Sequence, residues 1–173
     1  MTKRSPAVTQ IIQRPIAAVL TAMLALLLAA CQTMPKPTGF NAEQVAVLKN
    51  EGFVETELGW ELTFAERVLF AVNDSSISPE QIARIGTLTR NLLAAGIDNA
   101  RVEGHTDSTG ADAYNLRLSQ DRAQGVATPM QANGMPLPPE RVVGRGETAP
   151  LSSNDTVEGR QDNRRVVIIV TPR

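Results

Sequence analysis

Gly104-His105-Thr106-Asp107-Ser108-Thr109-Gly110 sets an imidazole, a carboxylate and three hydroxyls between two glycines. The segment follows an alternating run and precedes a helical pattern. That places it at the carboxyl end of a sheet strand, a usual position for a ligand. Downstream, Asn115, Leu118, Ser119 and Arg122 are spaced by three, four and seven, so they share one helix face. Arg122 falls about two turns into that helix and returns toward Asp107. Two readings follow. The carboxylate and the guanidinium can neutralise one another. Alternatively they form a zwitterion clamp, with Asp107 taking an ammonium and Arg122 a carboxylate through its bidentate fork. Backbone N–H groups at the helix start would add to anion binding.

Catalysis is not expected of these residues. His105 and Asp107 read as a base and its orienter would need Ser119 as nucleophile, and no oxyanion hole is positioned for it. As metal ligands the pair supplies only two groups, so neither a metal nor a cofactor is expected. His105 reads instead as a strand-end residue that packs the loop.

The elements that must hold this loop read as alternating strands and helices. Asn41 and Gln44 form a capping-box pair for a helix over about 42–51, with Val45, Leu48 and Val47 on one side and Gly52 at its end. Two alternating runs, Phe53–Glu57 and Trp60–Phe64, flank a Leu58-Gly59 turn and read as a short hairpin. Arg67–Phe70 reads as a continuation of the strand. Ser78-Pro79-Glu80-Gln81 is a helix start, with Ile82, Ile85, Leu88, Leu92 and Leu93 at helical spacing up to Gly96. Ala100–His105 alternates as a strand. A second helix runs from about Asp112 to Ala132 with Leu116, Ala123 and Val126 on its apolar side. Pro129 should kink or end it. Arg141–Gly146 is a short strand, and Arg165–Val170 is the most hydrophobic one. The fold class is α+β: a β-α-β-α-β-β mixed sheet with helices on one face, preceded by a linker helix and a hairpin.

Composition narrows the function. The chain has 173 residues, 42% hydrophobic and 20% charged, which fits one domain with appendages. A net charge of −1 argues against a nucleic-acid binder held by phosphate contacts. One cysteine excludes an internal disulfide and any multi-cysteine zinc site. Beyond Lys49 every basic residue is arginine apart from the single histidine, a bias that suits carboxylate recognition or ion pairing. Phe40, Phe53, Trp60 and Phe64 are four of the six aromatics and sit ahead of the main domain. They read as a small satellite core under the first strand, as a protein-docking surface, since aromatic anchors dominate binding hot spots, or partly as both.

The amino terminus is an address. Residues 1–30 carry Lys3, Arg4 and Arg14, no acid, and an apolar run from Ile16 to Ala30. This reads as a secretory signal, too short to span a bilayer. Leu28-Ala29-Ala30-Cys31 resembles a bacterial lipobox. The resemblance implies cleavage before Cys31, acylation of that cysteine, and, with Gln32 following, an outer-membrane destination. Residues 32–40, with Pro35, Pro37 and Gly39, read as an extended leash that reaches at most roughly 30 Å. The expected organisation is a signal peptide over 1–30, a lipidated cysteine, leash and contact helix over 31–59, and a binding domain over 60–173.

The motifs Val102–Gly110, Tyr114–Ser119, Arg122-Ala123 and Gly159–Val166 together resemble the OmpA-like peptidoglycan-binding domain. That resemblance implies binding of diaminopimelate in the peptidoglycan stem peptide, whose free ammonium and carboxylate share one carbon. By position it implies that Asp107 and Arg122 form the clamp, that Gly110 lets backbone approach the ligand, and that Asn73 lines the same pocket. Many members carry an aspartate near position 72 or 73, where this chain has Val72-Asn73-Asp74. Arg164 and Arg165 are expected to pin loops rather than touch ligand. The preceding segments, among them Ala42–Leu48, Gly52-Phe53, Gly59-Trp60-Glu61 and Val68-Leu69-Phe70, resemble YfiB-type lipoproteins. That likeness implies capture of YfiR, a periplasmic repressor, and so release of an inner-membrane diguanylate cyclase and a rise in cyclic di-GMP. It places Leu48, Phe53 and Trp60 on the partner surface. The alternative is a purely structural tether between outer membrane and wall. A homodimer through the amino-terminal helix stays open.

Overall fold

The computed structural model describes residues 39–70 and 76–173, which fall in one compact unit, Pro37–Arg173. The lipobox with Cys31, most of the leash, and Asn73 lie outside the described residues.

Helix α1 (Ala42–Asn50) starts as its sequence demands. Asn41 Oδ1 accepts from the Gln44 N–H at 2.9 Å and Gln44 Oε1 accepts from the Asn41 N–H at 3.1 Å, a closed capping box. Strands β1 (Val54–Thr56) and β2 (Gly59–Ala65) form the expected hairpin. A single helical turn, α2 (Glu66–Leu69), follows. Next come α3 (Pro79–Ala94), β3 (Ala100–His105), α4 (Asp112–Ala132), a 3₁₀ turn at Pro139–Arg141, β4 (Val142–Gly144), α5 (Val157–Asn163) and β5 (Arg165–Val170). The sheet order is β1-β2-β5-β3-β4, antiparallel throughout except for the β3–β4 pair. The class is α+β with a mixed sheet, as the pattern predicts.

Four local expectations are corrected. Residues 67–70 do not extend the strand. β5 begins at Arg165, paired with Ala65, so beyond Ala65 the chain has no strand to pair with. It turns instead through α2 and buries Leu69 and Phe70. The last two strands are not successive: α5, unforeseen, intervenes and lets β5 enter the centre of the sheet. Leu116 is exposed rather than core. Pro129 does not end α4, which runs three residues further. Proline removes one donor, and Met130, wholly buried, holds the final turn against the core.

The core lies between the helices and one face of the sheet. Val166, Ile168 and Val170 of β5 join Val102, Ile85, Leu92, Val126 and Met130 there. Leu48, Phe53, Trp60 and Phe64 belong to the same core, at 0%, 3%, 6% and 6% exposure. The aromatic group is therefore part of the main core rather than a separate satellite beneath the first strand. Its side chains are turned inward because α1 seats on α3, with Gln44 Nε2 donating to Ala95 O at 3.1 Å and Asn91 Nδ2 donating to Glu51 at 2.6 Å. On the other face Ile169 is flanked in register by Glu61 and Arg101.

Candidate functional site

The site is built where β3 ends and α4 begins. Two glycines let α4 lie directly on the sheet. A Cβ on Gly104 would come 2.0 Å from Ser119 O, and one on Gly144 would come 2.5 Å from the Gln120 nitrogen. This close seat fixes the face carrying Asn115, Ser119 and Arg122, all buried. Ser119 Oγ donates to Leu116 O at 2.8 Å and accepts from the Gly146 N–H at 2.8 Å. It is a rivet between helix and loop, and His105 makes no hydrogen bond to it.

The loop 106–111 is held from three sides. The Thr106 N–H donates to Gly146 O at 2.9 Å. Asn115 Nδ2 donates to Asp107 O at 3.3 Å and to Glu147 at 2.6 Å. The Ser108 N–H donates to Asn154 Oδ1 at 3.2 Å. Asn154 is held by Asn163 Nδ2 at 2.9 Å, and Asn163, fully buried, also accepts the Leu151 and Ser152 N–H groups. Thus the Gly159–Arg165 segment works as a bracket behind the loop. Gly110 sits at φ +104°, a backbone state that glycine adopts without strain.

The charged residues form a chain of four. Asp107 Oδ1 accepts the Thr109 N–H at 2.9 Å and Oδ2 accepts Arg164 Nη1 at 2.5 Å. Burial opposes ionisation of Asp107, yet these two partners outweigh it and its pKa is lowered. Arg164 Nε lies 2.9 Å from Glu66 Oε2, an ion pair off the hydrogen-bond axis. Glu66 Oε1 accepts from Arg122 Nη2. Arg122 is 7% exposed, and its guanidinium carbon stands 5.7 Å from the Phe70 ring centroid. Burial lowers its pKa, against the opposing pull of Glu66. Its Nε and Nη1 are buried without a hydrogen-bond partner. Asp107 and Arg122 therefore do not pair with each other; Arg164 and Glu66 stand between them. Beside this chain opens a cleft of about 510 Å³ bordered by Glu66, Phe70 and Arg164.

Sequence reasoning brought Asp107, Arg122 and the Gly110 turn to one place and missed Glu66 and Asn163. The arginine bias was the available signal for Glu66: a buried arginine calls for a carboxylate, and Glu66 is the first acid after the strand. Arg164, expected to pin loops, does so by bonding the Asp107 carboxylate.

A mixed sheet with a strand–loop–helix site of opposed charges, bracketed from the carboxyl-terminal segment, defines the class of OmpA-fold domains. The model of the OmpA family matches residues 69–164. The outer-membrane lipoprotein YfiB of Pseudomonas aeruginosa is 44% identical over 147 residues, covering 85% of this chain and 88% of that protein. The YfiB lipoprotein of Escherichia coli K12 is 39% identical over 148 residues, covering 84% and 91%. Among solved structures, the cell wall anchor of the T6SS from Pseudomonas aeruginosa superposes with a TM-score of 0.60 at 25% identity, covering 80% of this chain and all of that one. A MotB-like protein of Desulfovibrio vulgaris gives 0.62 at 26%, covering 76% and 90%. The chain belongs to the OmpA family, among its YfiB-type lipoproteins.

Proposed function

We propose that this chain is an outer-membrane lipoprotein that binds the stem peptide of peptidoglycan and captures a YfiR-like periplasmic repressor, raising cyclic di-GMP. It is organised as a signal over 1–30, an acylated Cys31 with leash and contact segment to residue 59, and a wall-binding domain over 60–173. Asp107 takes the diaminopimelate ammonium and Arg122 its carboxylate, with Gly110 and Asn73 lining the same pocket. The observation that carries the wall-binding reading is Arg122: a buried cation with two unpartnered nitrogens, joined to the 106–111 loop through Glu66 and Arg164, suits a receptor for an anion. The names of the relatives support the envelope location. No enzymatic step is assigned.

The partner surface needs revision. Leu48, Phe53 and Trp60 are buried and support the hairpin from beneath. The apolar groups available to a partner are Val54 and Leu58, 66% and 61% exposed on the hairpin itself. A second reading, a pure tether between membrane and wall, draws support from that burial, because a two-residue apolar patch is a small contact. The test is capture from periplasmic extract beside sedimentation with purified wall. Wild type should retain one protein and sediment. Arg122→Glu should lose the wall alone, and Val54→Glu with Leu58→Glu the partner alone. Wall binding with no captured protein in any arm would leave the tether.

A further inference from the structure

Glu66 sits on the guanidinium that the proposed ligand needs. A guanidinium offers a carboxylate two bidentate forks, Nε with Nη2 and Nη1 with Nη2. Both use Nη2, and Glu66 Oε1 is seated on Nη2 of Arg122. The outer members of the two forks, Nε and Nη1, are the atoms left buried and unpartnered. One N–H of Nη2, and so half of one fork, is thus taken by a carboxylate of the chain itself, and Glu66 borders the cleft where Arg122 does not.

We propose that Glu66 is a built-in gate: it holds the place of the ligand carboxylate on Arg122 and moves aside when stem peptide is gripped. The proposal rests on the wall-binding reading above. Four features make the exchange feasible. Glu66 is half-buried, its side chain 24% exposed, so it can turn out toward the cleft. It keeps a partner when it leaves, because Arg164 Nε lies 2.9 Å from its other oxygen. Arg122 keeps its place, because the Phe70 ring faces its guanidinium. The turn keeps its shape, because the Glu66 backbone N–H donates to Arg164 O at 2.9 Å independently of the side chain. The charges also balance. Asp107, Arg164, Glu66 and Arg122 are two anions and two cations, already neutral. An arriving zwitterion puts its carboxylate on Arg122 and its ammonium on Asp107, and Glu66 and Arg164 are left as a pair. No charge is stranded at any stage, so the gate sets affinity without destabilising the empty protein.

The experiment is calorimetric titration of the full chain in detergent with a soluble stem peptide carrying diaminopimelate. Wild type is set beside Glu66→Gln, Glu66→Ala and Arg122→Glu, each checked for an unchanged unfolding midpoint. Both Glu66 variants should bind roughly tenfold more tightly than wild type, the scale of one charge-assisted hydrogen bond released for the ligand. Arg122→Glu should not bind. Equal or weaker binding by folded Glu66→Gln and Glu66→Ala would overturn the gate and leave the wall-binding reading intact. No binding by wild type or by either Glu66 variant would remove the wall-binding reading and the gate with it.

Discussion

Two clusters of carboxylates and arginines lie within a few residues of each other along β3, and they are built on opposite plans. On the sheet face away from the core, Glu103 is buried, 6% exposed, and its arginines are not. Arg101 Nε and Arg145 Nη2 approach its Oε1 at 3.1 and 2.6 Å, with side chains 37% and 40% exposed. Burial raises the carboxyl's pKa, but the Arg145 hydrogen bond and the surrounding cations outweigh it, so the group stays ionised. At the end of the strand the plan is reversed. There the cation, Arg122, is buried, its anion Glu66 is half-buried, and two nitrogens of the cation go unpartnered. Buried donors without acceptors are expensive, and a charged donor more so. A cluster whose buried member is fully paired serves the fold. One whose buried member is left half paired is built for something that arrives. The closed cluster does have a loose atom, His105 Nδ1. It belongs to an imidazole that burial keeps neutral, so no charge is left unpaired there.

The largest effect should come from the seam that both clusters share. Gly104→Ala would drive a methyl group into the backbone of Ser119 and lift α4 from β3. A loss of about 3 kcal/mol or more is expected in denaturant unfolding, together with loss of wall binding, because Arg122 moves with the helix. A variant with near-native stability would mean that the two clusters are not mechanically joined.

Next is the closed cluster itself. Glu103→Gln keeps the shape and deletes the charge, and should cost about 2 kcal/mol while sedimentation with wall is unchanged. Equal losses in stability and binding would collapse the distinction between the two plans.

The neighbouring imidazole makes the same point through pH. His105 is 4% exposed and its pKa is lowered to about 4. Burial is the main cause. Arg165 and Arg145 push the same way, and Glu103 opposes them. The unfolded imidazole titrates near 6.5, so between these values the unfolded chain holds more protons. Stability is complete above pH 6.5, falls as pH drops through the window, and reaches its full penalty below about 4. Glu103 and Asp107 have lowered pKa values, and their contributions are lost only as pH falls below the ordinary carboxylate range. The fall from pH 6.5 to 4.5 therefore belongs to His105, the chain's only histidine. It should approach about 2 kcal/mol in full, and His105→Gln should flatten it. A wild-type profile already flat across that window would place the imidazole in solvent.

The two plans also differ in how legible they were. Strand and helix periods placed β3, α3, α4 and β5 correctly because each is periodic over its length, and α3 is also capped by local chemistry at Ser78, whose Oγ accepts from the Gln81 N–H. The segment after Ala65 misled because its alternation resembles a strand, and only the register of β5, a hundred residues away in the chain, decides that no partner remains. The short helix Val157–Asn163 carries no apolar period; its role is in one buried asparagine that brackets a loop. Asp107 and Arg122 were legible from spacing and from the family pattern. Glu66 was not, because its importance rests on a contact with Arg122 across 56 positions. The burial of Phe53, Trp60 and Phe64 was one of two open readings, and the docking of α1 on α3 favours it.

The smallest expected change in stability is the sharpest test of the comparison. Arg122→Met keeps a long side chain against Phe70 and deletes the guanidinium. In an ordinary buried ion pair, removal of one partner strands the other and is strongly destabilising. Here Glu66 is half-buried and retains Arg164, so nothing is stranded, while two buried unpartnered nitrogens disappear. Stability should therefore stay within about 1 kcal/mol of wild type, or rise, and sedimentation with wall should be lost. Buried charge held at the expense of stability and needed only for binding is the mark of a receptor. A clear loss of stability in this variant would instead make Arg122 a structural residue of the same kind as Glu103, and the contrast between the two clusters would disappear.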